Sequence, residues 1–480
     1  MTGAIPFTPG NAASARMSKA RSRREHDALG ALDIAVGALW GIHTQRALAN
    51  FPNTNRRVPQ ELIGAIAVVK HAAAATNAEL GYLAPEVAEA IVAACGEISE
   101  GGAEIERQFP LDALQGGAGT STNMNVNEVV ANLALKRLGR EPGDYAAVHP
   151  LQHVNLHQST NDVYPTALRI AAIAGVRRLS DAFAGLQGAF QQKEREFQGI
   201  VKMGRTEMQP AVPMTLGQEF SAFAEAVARD RWRTFKCEER LRLINIGGTA
   251  IGTGLTAPRA YIFRVIEVLR SLTGMGLSRN ENVVDATANA DAFVEVSGIL
   301  KASAANLAKI AGDLRLLHFL GEIVLPPLQA GSSIMPGKVN PVMTESVMQA
   351  AMAVRASDAI VAECAGHGTL QINEFMPLIA WALLDAIATL RSCADKLKEH
   401  VAAIAADAAR CADYLADGPT LLTAFLPKIG YERAEALVKA FEAARAKDAS
   451  LKLRAFLTAE LGETVVEEVL SAQNLIKLGH

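Results

Sequence analysis

Apolar residues recur along this chain at intervals of three and four, the spacing that places them on one face of an α-helix. Val176, Leu179, Phe183, Leu186 and Phe190 form one such row. Phe293, Val296, Leu300, Leu307, Ile310 and Leu314 form a second, with a gap at Ser303, and Leu383, Ile387, Leu390, Ala394, Leu397, Val401 and Ile404 a third. Alternation with a period of two, the mark of a half-buried strand, is scarce. The pattern predicts an all-α protein of long helices meeting along continuous seams. Three heptad-like helices of this length bury incompletely within one monomer, so the bundle is expected to continue across the subunits of an oligomer.

Composition supports close helix packing: alanines are frequent on these helices and aromatic residues make up only 5%. A chain of 480 residues exceeds what one core usually holds. Turn chemistry concentrates at Pro142-Gly143-Asp144, Gly247-Gly248, Gly252-Thr253-Gly254, residues 326–341 and Gly418-Pro419. The expected division is a disordered basic tail over 1–24, an N-terminal domain over 25–150, a central helical bundle domain over 151–410 and a small C-terminal domain over 411–480. The tail contains no acid but carries Arg16, Lys19, Arg21, Arg23 and Arg24, which gives it a faint likeness to an organelle transit peptide.

Lys+Arg 47 against Asp+Glu 50 leaves a formal charge of −3, so no net field recommends nucleic acid or an anionic membrane as partner. No run of about 18 apolar residues suggests a membrane span. Small solutes remain the natural ligands. Cys95, Cys237, Cys364, Cys393 and Cys411 lie far apart without a CxxC pair, which indicates neither a zinc site nor a disulfide framework and fits a reducing, cytoplasmic setting.

Four polar clusters interrupt the helical pattern, each beside a glycine or proline break. Gly116-Gly117-Ala118-Gly119-Thr120-Ser121-Thr122-Asn123 offers flexible backbone and hydroxyls at a helix entry, where exposed N–H groups favour an anion; a plain N-cap is the bland alternative. His157-Gln158-Ser159-Thr160-Asn161-Asp162 repeats the theme. His153 and His157 stand four apart, but no third ligand accompanies them, so no metal is expected. Lys202-Met203-Gly204-Arg205-Thr206-Glu207 is the third cluster. The fourth, Gly331-Ser332-Ser333-Ile334-Met335-Pro336-Gly337-Lys338-Val339-Asn340-Pro341, sets two hydroxyls, a cation and an amide on a glycine-hinged loop suited to gripping and deprotonating a small dicarboxylate. A Walker A phosphate loop is excluded, because five residues separate the two glycines where four are required and Val339 stands in the place of the metal-binding hydroxyl. Convergence of the four clusters on one pocket is the simplest account.

Together these residues resemble the fumarase/aspartase superfamily, whose signature loop is spelled nearly as Gly331 to Pro341. The likeness runs from Arg24-Glu25-His26-Asp27 through Trp40-Gly41-Ile42-His43-Thr44 to Ile429-Gly430-Tyr431-Glu432. It implies a homotetramer with a central bundle of twenty helices, five per subunit, and active sites each built from three chains, working without an organic cofactor. Carried over residue by residue, Ser332 matches the catalytic base, and Thr120, Ser159, Thr160 and Ser333 match the groups that bind the substrate's β-carboxylate. Thr206, Lys338 and Asn340 match those holding the α-carboxylate, Asn161 lies near the amino group, and Glu345 matches a supporting acid.

The spelling Ser159-Thr160-Asn161-Asp162 resembles the deaminating branch, which implies conversion of L-aspartate to fumarate and ammonia, with fumarate hydration as the alternative. The hydratases carry a histidine where Glu207 stands here; Glu207 is expected either to pair with the substrate ammonium or to face solvent. The chain also departs from the family in the short connection His318-Phe319-Leu320 before Gly321-Glu322, and in Leu426 before Pro427.

Overall fold

A computed structural model describes residues 22–417 and 419–477. Residues 1–21 of the expected basic tail lie outside the described residues, and Ser22, Arg23 and Arg24 belong to a strand. The chain runs through a hairpin of β1 (Ser22–Asp27) and β2 (Gly30–Ala35), then α1 (Ile42–Asn50), α2 (Gln60–Glu79), α3 (Pro85–Glu100), α4 (Ala103–Glu106) and α5 (Thr120–Arg137). A π-helical turn at Pro150–Val154 precedes α6 (Thr160–Phe197). A second hairpin, β3 (Val201–Thr206) and β4 (Gln209–Thr215), leads to α7 (Leu216–Leu241), β5 (Leu243–Ile244), α8 (Arg259–Thr273), β6 (Ser278–Arg279) and α9 (Val283–Ala288). Then come α10 (Asp291–Leu320), β7 (Ile323–Val324), α11 (Val342–Gly366), α12 (Met376–Ala402), β8 (Ala405–Ala406) and short helices from Ala408 to Leu475. Each sheet among the described residues has only two strands, so the protein is helical as its sequence pattern predicts.

The described residues divide into two compact units, one of 22–164 with 246–274 and the other of 165–245 with 275–417 and 419–477. In the second unit α10 packs on α7, α11 and α12, and α11 on α12. The apolar rows read from the sequence are the buried seams of this bundle. Val176 through Phe190, Phe293 through Leu314 and Leu383 through Ile404 are all shielded at the positions named above. Burying one such Leu, Ile or Phe contributes about 1.5–3 kcal/mol. The gap at Ser303 is buried too, and its hydroxyl donates to the Ile299 carbonyl one turn back, which removes the cost of an unpaired polar group. At Gly175 an added Cβ would lie 2.9 Å from Ile387 Cγ2, so this crossing of α6 and α12 is built on the lack of a side chain. By length and composition α12 could cross a bilayer, but its Leu and Ile row is a core seam.

Local signals set the helix starts. Thr215 closes β4 and caps α7, its hydroxyl accepting from Gln218 N at 3.1 Å while Gln218 Oε1 accepts from Thr215 N at 2.9 Å, a reciprocal box worth about 1 kcal/mol. The short C-terminal helices bury Leu421, Leu422, Phe425, Leu437, Phe441, Leu453 and Leu457 against one another and against Met203 of β3.

In the first unit α2, α3 and α5 pack together and α8 lies on α2. Glu128 of α5 is buried, and its carboxylate accepts from the N–H groups of Gly41, His43 and Thr44 and from the Thr44 hydroxyl, at 2.6–3.2 Å. Glu128 thus satisfies most of the orphan donors at the start of α1, Glu25 Oε2 taking the Ile42 N–H at 2.9 Å, and joins α1 to α5. Burial still raises its pKa against the pull of these four bonds.

Candidate active site

The residues singled out from the sequence fall into two groups, one in each unit. In the first unit Gly117, Ala118 and Gly119 take positive φ values of 85°, 56° and 90°, folding the backbone tightly into the start of α5. A Cβ at Gly119 would lie 2.4 Å from the buried Tyr164 ring, so only glycine fits. Thr120 opens α5 with its side chain exposed, the hydroxyl donating to the Gly117 carbonyl at 2.7 Å.

Ser159, Thr160 and Asn161 lie at the entry to α6. Asp162, fully buried, fixes them: its carboxylate accepts from Ser159 N at 2.9 Å, Gly247 N at 3.0 Å and Thr249 N at 2.9 Å. Burial pushes the Asp162 carboxyl up to about 6, in spite of these three N–H donors. Asn161 Nδ2 donates to the Ala250 carbonyl at 2.7 Å. Ser159 Oγ accepts from Asn161 N at 3.3 Å, and Thr160 Oγ accepts from Asn123 Nδ2 at 3.1 Å. A hydroxyl has one proton to give, and among the described residues the protons of Ser159 and Thr160 have no acceptor.

The second group starts with the loop before α11. Gly331 N donates to Lys338 O at 2.7 Å and Asn340 Nδ2 to Gly331 O at 3.0 Å, closing the loop on itself. Ser332 Oγ sits inside this closure and accepts from Ile334 N at 3.2 Å and Met335 N at 3.0 Å. Two backbone N–H groups aimed at a hydroxyl oxygen favour its deprotonated form. Ser333 and Lys338 are exposed and Asn340 half-buried; the Lys338 ammonium makes no ion pair among the described residues. Glu345, in the first turn of α11, stands 3.7 Å from Arg315.

Thr206 and Glu207 belong to the tip of the β3–β4 hairpin, where Thr206 pairs with Gln209 across a two-residue turn. Glu207 and Met208 occupy the turn with φ of 50° and 63°, a conformation costly for residues other than Gly, Asn or Asp. Both are exposed. Below the tip the hairpin is anchored by Glu322, fully buried, which takes Lys202 at 2.8 Å and Arg205 at 2.7 Å.

Sequence reading assigned no role to Lys70, Asn123 or Asn155, which form the floor of the first group. Lys70 is fully buried on α2, and its Nζ donates to Asn155 Oδ1 at 2.8 Å and Gln158 Oε1 at 3.0 Å. Burial lowers its pKa to about 7. A lone lysine inside the apolar stretch Ile66 to Ala74 is the signal that could have found it. His153 and His157, four residues apart, make separate bonds: His153 Nδ1 accepts from His149 N at 3.0 Å, and the His157 ring meets Asn77 Oδ1 at 2.8 Å.

Comparisons with known proteins show the family of the chain. A sequence profile described as lyase matches residues 30–356. The chain is 43% identical over 470 residues to an aspartate ammonia-lyase of Pseudomonas aeruginosa, spanning 96% of this chain and 99% of that one. It is 40% identical over 463 residues to an aspartate ammonia-lyase of Escherichia coli, spanning 95% and 96%. Among solved structures, a fumarate lyase:delta crystallin from Brucella melitensis bound to cobalt matches with a TM-score of 0.89 and 42% identity over 95% of this chain and 100% of that chain. A class II fumarase from Schistosoma mansoni matches with 0.85 and 30%, over 95% and 99%. The chain belongs to this lyase family, the fumarase/aspartase superfamily.

Proposed function

We propose that this protein is a carbon–nitrogen lyase that converts L-aspartate to fumarate and ammonia. The observation that carries the reading is the cradle around Ser332, a hydroxyl oxygen held by two backbone N–H groups within a loop closed by Gly331, Lys338 and Asn340. Full-length identity of 40–43% to aspartate ammonia-lyases supports it.

Ser332 removes a proton from Cβ of aspartate. The electron pair passes into the adjacent carboxylate, which becomes a doubly charged aci-carboxylate. Ser159, Thr160 and Ser333 receive this charge, joined by Thr120 once its hydroxyl turns from the Gly117 carbonyl, and one preorganised donor typically supplies about 2.7–4 kcal/mol. The pair then returns to form the double bond as the Cα–N bond breaks, releasing ammonia. Thr206, Lys338 and Asn340 hold the α-carboxylate, Asn161 lies near the amino group, and Glu207 and Glu345 act from around the site. The steps use side chains and backbone alone, without an organic cofactor.

The working form in this proposal is a cytoplasmic homotetramer, in which the long helices of four three-part subunits form a twenty-helix bundle and three chains supply each active site. Fumarate absorbance after mixing the protein with L-aspartate or with L-malate tests the reaction. Release of fumarate from aspartate is expected; release from malate alone would make the protein a hydratase instead.

A further inference from the structure

The Lys70 ammonium is buried without a carboxylate in ion-pair contact among the described residues; both of its hydrogen bonds go to neutral side-chain carbonyls. Keeping a cation in such surroundings is costly, and a fold that needed only packing there would be better served by an apolar side chain. The bonds lead in one direction. Asn155 Oδ1, which takes the ammonium, also accepts from Asn123 Nδ2 and Asn127 Nδ2, both at 3.2 Å. Asn123 Nδ2 in turn donates to Thr160 Oγ. Three hydrogen bonds therefore join the buried cation to a hydroxyl whose own proton has no acceptor among the described residues.

The titratable groups acting on Lys70 are Asp162 of α6 and Cys95 of α3. Burial pushes the Cys95 thiol up to about 12, so it carries no charge at neutral pH. The Asp162 carboxylate is occupied by the N–H groups of Ser159, Gly247 and Thr249. Lys70 thus stands behind neutral donors as a buried amine that titrates near neutrality, and a second negative charge arising at those donors would favour its protonated form. In the reaction proposed above, the carboxylate facing those donors passes from one negative charge to two, and the protonated amine stabilises the second state more than the first.

We propose that Lys70 is a positioning residue of the lyase reaction: it aligns Asn155, Asn123 and the Thr160 hydroxyl and favours the doubly charged intermediate over the singly charged substrate carboxylate. This inference rests on the lyase reading. Its test compares two inhibitors of the full-length protein. Succinate presents carboxylates of ordinary charge. The nitronate form of 3-nitropropionate carries its extra negative charge where the aci-carboxylate would.

In Lys70→Gln, whose fold is verified by thermal midpoint and oligomer size, the nitronate inhibition constant should rise on the order of 10- to 100-fold. The kcat should fall in proportion, while succinate inhibition and KM change little. Asn123→Ala leaves Lys70 in place but cuts the link to Thr160, and should show the same selective loss if Lys70→Gln does not fold. Equal losses for both inhibitors, or none, in a wild-type background that deaminates aspartate would overturn the role of Lys70 alone. A wild-type protein that releases no fumarate from aspartate would bring down the lyase reading first and this inference with it.

Discussion

The two groups of candidate residues are built on opposite principles. The cluster at residues 159–162 is half-buried to buried and cross-braced: Asp162 holds three backbone N–H groups, Asn155 collects three donors, and the backbone entering Thr120 is locked by glycine against an aromatic ring. The loop at residues 331–341 is mostly exposed and tied chiefly to itself. The difference separates two tasks. In the proposed reaction Ser159 and Thr160 receive developing charge and must not reorganise when it appears, which suits their place in a braced, partly buried cluster. Ser332, the base of the proposed reaction, sits on a segment with few outside bonds, of the kind that opens locally at low cost.

The sharpest break of this comparison is Ser332→Ala. Turnover should fall by roughly 10⁴-fold or more while the thermal midpoint is unchanged, as removal of a nucleophile or base does in other enzymes; near-normal fumarate production would remove Ser332 from the mechanism. Hydrogen exchange comes next. The amides of Ser159, Gly247 and Thr249 should exchange at least about 10³-fold more slowly than those of residues 333–338, since the former open only with their unit. Similar rates would erase the distinction between rigid cluster and open loop.

Glycine substitutions probe the same contrast with smaller effects. Gly119→Ala combines a φ of 90° with a 2.4 Å clash against Tyr164 and should destabilise the protein by about 2–5 kcal/mol in denaturant unfolding. At Gly331 the new Cβ would meet Lys338 O at 2.8 Å in an exposed loop, so Gly331→Ala should lower kcat and leave the unfolding midpoint nearly unaltered.

The smallest effect concerns the rim of the first unit, where Arg46 donates to both carboxylate oxygens of Asp27 at 2.8 Å and holds its pKa down to about 2 from the ordinary 3.8. A carboxyl depressed in the folded state contributes stability above its unfolded value and loses it as pH falls through the folded one. Asp27→Asn should therefore lower the thermal midpoint slightly at neutral pH, and the gap to wild type should close as pH approaches about 2.

Long helices and the loop at 331–341 were legible because each is written in adjacent or regularly spaced residues. The row from Leu383 to Ile404 needs only its period to be recognised, and the hydroxyls, cation and amide of 331–341 lie within one turn-rich stretch. The floor beneath Thr160 was not legible, because its bonds span the chain: Lys70 meets Asn155 and Gln158 across 85 and 88 residues, and Asp162 meets Gly247 and Thr249 across 85 and 87. No local period marks such a pairing. The β3–β4 hairpin was also obscured, since Gly204, Pro210 and Pro213 interrupt the alternation that identifies strands.

Glu128 has a consequence for which molecules the protein can accept. By clasping the start of α1 from within α5, it ties the two helices together, so in the proposed reaction Thr120 is carried at the head of a braced helix. On the proposed reading, the 331–341 segment, tied chiefly to itself, is the place where redesign for a different amino acid is expected to cost the least stability.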